Sequence, residues 1–497
     1  MANYIVKIFS TIDMGITSRL KNQHLLWRAG FGPIAESASL LDTISHKKLW
    51  EQLLRSSSSS PEKLDVVSNI FDGALMGVKD VESMKDLSAD QKKELRHQSE
   101  EDLKDLNIKW LSEMINSEAQ LREKMSLFWH GHFACRNINI YFQQQLLDII
   151  RVNALGNFGD LLRAVSKSAS MLQFLNNQQN KKQHPNENFA REVMELFTMG
   201  RGNYTEDDVK EAARAFTGWS YDLQGEFLFK EKQHDTDIKT FLGRTGNFDG
   251  DDIIDILLEQ QQTAKFITKK IYRFFVNDKT DDVKINELAQ KFYNSKYDIT
   301  RLMETIFTSD WFYEEKNIGT QIKSPVVFLA GLRRFMPLKL DDDAAQLLVQ
   351  RLLGQILFYP PNVAGWPGGK NWIDSSTLML RLRIPQIITA NESINLRPKS
   401  DDDVMMGQSN DERMVNQQNK EFASKGGSAT VDWDTVIKIF ADVQRDDLLS
   451  KISDTLLQTE SRVKSDVLNK YLDEDDRSSY IQSVVINVMS TPEYQLC

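Results

Sequence analysis

The stretch Thr205-Glu206-Asp207-Asp208-Val209-Lys210-Glu211-Ala212-Ala213-Arg214-Ala215-Phe216 reads as a helix whose start is marked. Thr205 stands three residues ahead of Asp208, the spacing of a capping box, in which hydroxyl and carboxylate satisfy N–H groups left free at a helix start. Val209, Ala212, Ala213 and Phe216 follow at the i, i+3, i+4, i+7 spacing that gathers apolar side chains on one face. Working outward, the same periodicity recurs in residues 120–150, 187–200, 250–277, 284–296, 298–313, 324–336, 343–358, 375–392 and 433–459. Ser324-Pro325 marks another start, with a hydroxyl at the N-cap and proline at the first helical position. The β signal is confined to Gly225-Glu226-Phe227-Leu228-Phe229 and Lys239-Thr240-Phe241-Leu242, which pattern as one antiparallel hairpin. The expected fold is mainly α: a multi-helical domain with a small β-hairpin insertion.

At 497 residues the chain exceeds one simple core. Its 41% hydrophobic and 27% charged residues, with mean hydropathy −0.43, are those of a globular protein. Against 61 basic residues stand 71 acidic ones, a net charge of −10, which argues against a broad nucleic-acid surface. Two cysteines, Cys135 and Cys497, provide no disulfide framework. The main helical domain is expected over 1–395, with a charged excursion at 81–107. A polar linker at 396–432 reads as disordered, and a C-terminal helical segment follows at 433–497. Ser56 to Ser60 before Pro61 reads as a flexible joint. The apolar patch at the start is interrupted by Lys7, too short for a signal peptide or a membrane span. As written, the chain therefore reads as cytoplasmic, and as exported if a leader is missing.

Three segments carry chemistry-bearing residues. In Phe128-Trp129-His130-Gly131-His132-Phe133, histidines two apart reach the same side only where the backbone extends or turns, which Gly131 would permit. Such a pair would supply two imidazoles to a metal; the alternative is a buried imidazole bonded to backbone. On a helix over 187–200, Asn188, Glu192 and Glu195 share a face opposite an apolar stripe, with Arg191 at its edge. Two carboxylates at i, i+3 can ligate a metal or divide acid and base roles, unless Arg191 neutralises them in a structural network. Gln233-His234-Asp235-Thr236-Asp237-Ile238-Lys239 offers an imidazole beside a hard oxygen, or simply a capped turn. Asn247-Phe248-Asp249-Gly250-Asp251-Asp252 lacks the spacing of a calcium loop and reads as a helix cap. The loop at 359–372 carries Trp366 and Trp372, which would floor a cleft or cover a core.

As a set these segments resemble the bacterial domain-of-unknown-function family numbered 1800. The matching pieces are His24-Leu25-Leu26-Trp27-Arg28-Ala29-Gly30-Phe31-Gly32, the histidine pair within 129–133, residues 186–200, Thr217-Gly218-Trp219, His234-Asp235 with Lys239-Thr240-Phe241-Leu242-Gly243, Lys323-Ser324-Pro325-Val326, and 354–372. They run in the family's order over roughly residues 20–395, with Gly131 where a more polar residue is expected. The resemblance implies a protein often exported and encoded beside a sulfatase- or phosphatase-like partner.

Together these readings point to one polar site. His130, His132, His234 and Asp235 are its expected metal ligands, and Glu192, Glu195 and Lys239 its catalytic residues. Asn188, Arg191, Trp219, Trp366 and Trp372 would bind substrate. Imidazole with carboxylate suits one divalent transition metal, zinc, manganese or iron. The expected function is a metal-dependent hydrolase of phosphate or sulfate esters. The alternatives are a non-catalytic export or assembly partner of the sulfatase/phosphatase-like neighbour, and a di-iron oxidase or oxygenase. Because the polar 399–430 run has too few apolar anchors to offset its ordering entropy, limited proteolysis is expected to cut there first. Mass spectrometry of the fragments reads this directly.

Overall fold

A computed structural model describes residues 16–67, 88–390 and 429–497. Helices dominate, and the strands among the described residues form three short antiparallel pairs. The Glu206–Ala215 helix starts with the expected capping box between Thr205 and Asp208. Ser324 caps the Pro325–Phe335 helix, with its hydroxyl accepting from the Val327 N–H. Asp249 caps Gly250–Leu258 through its own box with Asp252, so the calcium-like run is a helix start.

The strand pairing departs from the expected single hairpin. Phe227–Phe229 pairs back onto Trp219–Tyr221, and Lys239–Phe241 pairs forward onto Arg244–Gly246. Local closure is the physical reason. Leu242 and Gly243 both hold positive φ (46° and 78°), the conformation that joins adjacent strands through two residues.

The expected helix over 120–150 is two. Gln120–His132 stops where Phe133 leaves helical geometry, and Ile140–Asn153 begins where Asn139 caps the N–H groups of Tyr141 and Phe142. Gln120–His132 is the inner element of the fold, with every residue buried except Gly131. Leu121, Met125, Phe128 and Trp129 enter one hydrophobic cluster, shared with the helices between 140 and 313. Leu127 enters a second, shared with Trp110, Val326 to Phe335 and the C-terminal helices.

A helix buried on all sides must still place its polar residues. Glu123 is fully buried and accepts from Trp110 Nε1 (3.0 Å), Arg122 Nε (3.1 Å) and Arg151 Nη2 (2.9 Å). The two guanidiniums reach further, to the Ser59 and Glu62 carbonyls. The stretch after the serine run is thereby tied to the core, and Ser57 is itself buried.

The described part of the charged 81–107 segment belongs to the long Ala89–Asn116 helix, which buries Leu103, Leu106 and Trp110 in the second cluster. Residues 396–428 of the expected linker lie outside the described residues. Beyond them, Val436, Phe440, Ile452, Val484 and Val488 join the same cluster as Trp27 and Phe31. Gln321 and Cys497 exchange backbone hydrogen bonds at 3.1 and 2.8 Å. The 396–432 boundary therefore does not divide the packing. No helix among the described residues is long and apolar enough to cross a membrane.

Removing the shared acceptor would leave two buried guanidiniums unbalanced. Glu123→Ala is expected to cost about 3–5 kcal/mol, read by urea denaturation. Replacing Glu123 and Arg151 together by apolar residues should cost less than the single change.

Candidate functional site

Between the Gln120–His132 helix, the Gln261–Phe275 helix, the start of Pro325–Phe335 and the loop over 364–372 lies a cleft of about 250 Å³. Lys124, Lys270, Arg273 and Lys323 line it, with Asp278 as the acidic side chain of the lining. Phe128, Phe274, Trp366 and Trp372 supply its aromatic surface. Gly365 (φ +79°) lets the loop lie against the inner helix, since a Cβ there would meet the Gly131 carbonyl oxygen at 2.4 Å. Gly131 lines the cleft itself, and a Cβ at that position would meet nothing within 4 Å.

Each buried lysine is held by neutral acceptors. Lys124 Nζ donates to the carbonyls of Trp27 (3.0 Å) and Gly30 (2.8 Å), closing the end of the Ser18–Ala29 helix. Lys323 Nζ donates to the Tyr494 carbonyl (2.6 Å) between the rings of Trp27 and Tyr494, 3.6 and 3.8 Å from their centroids. Lys270 Nζ donates to the Leu196 carbonyl (2.9 Å) and to His132 Nδ1 (3.2 Å). None of the three pairs with a carboxylate among the described residues. Burial, which disfavours the charged form, pushes Lys124 and Lys323 down to about 7 and Lys270 down to about 8.

His132 reaches this cleft; the rest of the expected metal set does not join it. The helix runs straight through Gly131, so residues two apart point about 200° apart. His130 is instead enclosed by Trp110, Phe358 and Trp366, where its Nε2 accepts from the Phe358 N–H at 3.1 Å. Burial holds it neutral, down to about 3. His132 Nε2 faces the Phe197 carbonyl at 3.2 Å and therefore carries the proton, leaving Nδ1 to accept from Lys270. Burial, then the Lys270 charge, keep this imidazole neutral as well.

His234 and Asp235 anchor the strand region. His234 Nδ1 lies 2.9 Å from the Thr217 carbonyl, and the Thr217 hydroxyl accepts from the Asp235 N–H. Asp235 meets Arg214 through both oxygens, at 2.7 and 3.2 Å. Burial alone would raise its carboxyl, but the guanidinium outweighs this and holds it below the usual range. Lys239 is fully buried and donates to the carbonyls of Asp235 (2.6 Å) and Asp237 (3.0 Å). Among the described residues, no three His, Cys, Asp or Glu side chains gather in a way that could hold a metal ion.

The acidic helix meets the cleft with its backbone. It runs as α-helix over Glu187–Glu192 and widens to a π-helix over Val193–Thr198. The Leu196 and Phe197 carbonyls in this wider turn receive Lys270 and His132. Glu192 and Glu195 point elsewhere. Burial and Glu195 raise the Glu192 carboxyl, while Glu195 accepts from the Tyr204 hydroxyl at 2.8 Å. Arg191 does not sit between them; it pairs with Glu187 and Glu206. Asn188 donates to the Leu175 carbonyl, and Trp219 packs in the core on Phe216 and Phe227. Trp366 and Trp372, by contrast, do line the cleft.

Lys124, Lys270, Arg273 and Lys323 were not among the candidate residues. The signal at Lys124 was a lysine amid Leu121, Met125 and Phe128 on an otherwise apolar helix, but nothing in its spacing ties it to positions 270 and 323.

Fold and cleft thus define a class: a multi-helical protein with a cationic, aromatic-walled cleft on one inner helix. The chain belongs to the family described as protein of unknown function (DUF1800), whose profile matches residues 24–496. Neither the curated proteins nor the solved structures contain a match. The family match runs through the C-terminal helices, in keeping with their place in the shared core.

A lysine whose folded value is depressed binds fewer protons in the folded than in the unfolded chain between the two values. Stability therefore rises with pH across that window, from about 7 for Lys124 toward its unfolded value near 10.4. Lys124→Met is expected to flatten this rise, measured by urea denaturation at pH values between 6 and 9.5.

Proposed function

We propose that this protein is an enzyme acting on small molecules that carry a phosphate or sulfate ester, with the cleft as the site that receives the anionic group. The observation that carries the reading is the charge of the lining: Lys124, Lys270, Arg273 and Lys323 against Asp278 and the negative charge at Cys497. Positive charge that outnumbers its counter-charges in a low-dielectric wall attracts an anion. Each charge-assisted hydrogen bond to such an anion is worth about 1.5–3 kcal/mol. The aromatic side chains suit the organic part of the ester, for which apolar walls with few polar groups are the usual container. This reading does not route through His130, His234 and Asp235, which are tied to other parts of the fold.

A second reading is a non-catalytic partner of a sulfatase- or phosphatase-like protein. What favours it is that Lys239 and His234 hold backbone carbonyls while Asp235 holds the Asp237 N–H and Arg214, as a purely structural network would.

Isothermal titration with inorganic sulfate and with 4-nitrophenyl sulfate separates the two. Both probes are expected to bind, and Arg273→Ala should weaken them about tenfold, the effect of losing roughly 1.4 kcal/mol. Gly131→Leu should fill the cleft and abolish binding while the fold persists, because that position opens onto free space. Wild-type protein that binds neither probe would leave the partner reading in possession.

A further inference from the structure

Lys270 differs from the other cleft cations in how it is presented. It is half-buried at the cleft edge, whereas Lys265 and Lys269 of the same helix are exposed. Lys124 is 4% exposed and Lys323 1%, and both are fastened to the fold, one at a helix end and one between two rings. Two of the hydrogen-bond directions of the Lys270 amine are occupied, by the Leu196 carbonyl and by His132 Nδ1. A neutral amine has two N–H bonds and one lone pair. With both N–H groups engaged, the lone pair of the neutral amine stays unshared on a residue that lines the cleft. The Phe266 ring lies 4.8 Å away, and no carboxylate among the described residues pairs with the amine. This is the environment in which lysine serves as a nucleophile: desolvated, beside other cations and backed by a proton acceptor.

We propose that Lys270 is an amine nucleophile that forms a Schiff base with the carbonyl carbon of a small aldehyde or ketone, whose anionic group is held by Arg273. The inference rests on the anion-binding reading of the cleft and narrows its substrates to esters that also carry a carbonyl. Arg273 lies one helical turn from Lys270, on the same face.

In the step itself the lone pair of the amine attacks the carbonyl carbon. A C–N bond forms, and the π pair of C=O moves to oxygen. The proton that the nitrogen sheds moves to that oxygen through water in the cleft, while neutral His132 Nδ1 holds the nitrogen in place. The hydroxyl of the resulting carbinolamine then departs as water with the proton that the ammonium released on becoming the attacking amine, as the nitrogen lone pair forms C=N. Overall, ammonium and carbonyl become protonated imine and water, with no oxidant or reductant required.

Pyridoxal 5′-phosphate, an aldehyde carrying a phosphate, is a direct probe. The full-length protein is incubated with it near pH 7 in the presence of sodium cyanoborohydride, which reduces any imine to a stable amine, and the adducts are mapped by mass spectrometry. Lys270 is expected to be modified about tenfold or more faster than Lys265 and Lys269, as its desolvated place at the cleft beside Arg273 implies. Inorganic sulfate should slow this labelling, and pyridoxal without the phosphate should label more slowly. Lys270→Arg should lose the fast adduct. Labelling of Lys270 no faster than of Lys265 and Lys269, in protein that binds sulfate by calorimetry, overturns the Schiff-base inference while the anion reading stands. Failure of sulfate to bind at all sinks the anion reading instead.

Discussion

The structure depends on a carboxylate with no access to water. Glu123 sits on a helix buried from every side and accepts hydrogen bonds from Trp110, Arg122 and Arg151. An isolated charge in that position would cost several kcal/mol, so the two guanidiniums and the indole are needed for the helix to occupy the interior at all. Their other contacts, to the carbonyls of Ser59 and Glu62, tie the chain between residues 57 and 64 to the same point. Because the next residue is Lys124, and His130 and His132 follow on the same helix, the Glu123 network also sets the register of the cleft.

The cleft inverts the logic of Glu123. There a buried charge is matched by opposite charges; here three buried or half-buried lysines are matched by carbonyls, rings and one imidazole nitrogen. Neutral acceptors satisfy the N–H groups without cancelling charge, but burial lowers Lys124 and Lys323 to about 7, so their charge is full only below neutral pH and Arg273 supplies the standing positive charge. Depressed lysines are the thermodynamic mark of that arrangement. The π-turn at Val193–Thr198 contributes by presenting two carbonyls to Lys270 and His132 at adjacent positions. A widened turn of this kind is most often kept where a helix has a local task.

Local signals in the chain were read well where one element settles the outcome. The Thr205 capping box, the Ser324-Pro325 start and the capping role of Asp249 each depend on residues within one turn. The histidine pair failed for an instructive reason. Gly131 permits a turn, but continuing the helix keeps the Trp129 and Phe128 side chains in the core, and packing outweighs a single glycine's freedom. The acidic helix failed similarly, since Arg191 found Glu206 on a neighbouring helix in place of Glu195 on its own. The two tryptophans of the 364–372 loop both border the cleft, Trp372 as a buried side chain and Trp366 as a half-buried one.

By itself, then, the sequence determined the helical class, most element starts, the family, and the absence of a disulfide framework, all of which follow from periodicity and from contacts a few residues long. Which charges would face one another was decided only in three dimensions. Lys124, Lys270 and Lys323 lie nearly two hundred positions apart from first to last, and no spacing rule links them. They meet because two hydrophobic clusters share the Gln120–His132 helix. Burying that helix forces each lysine it gathers to find neutral partners at the edge of one cavity.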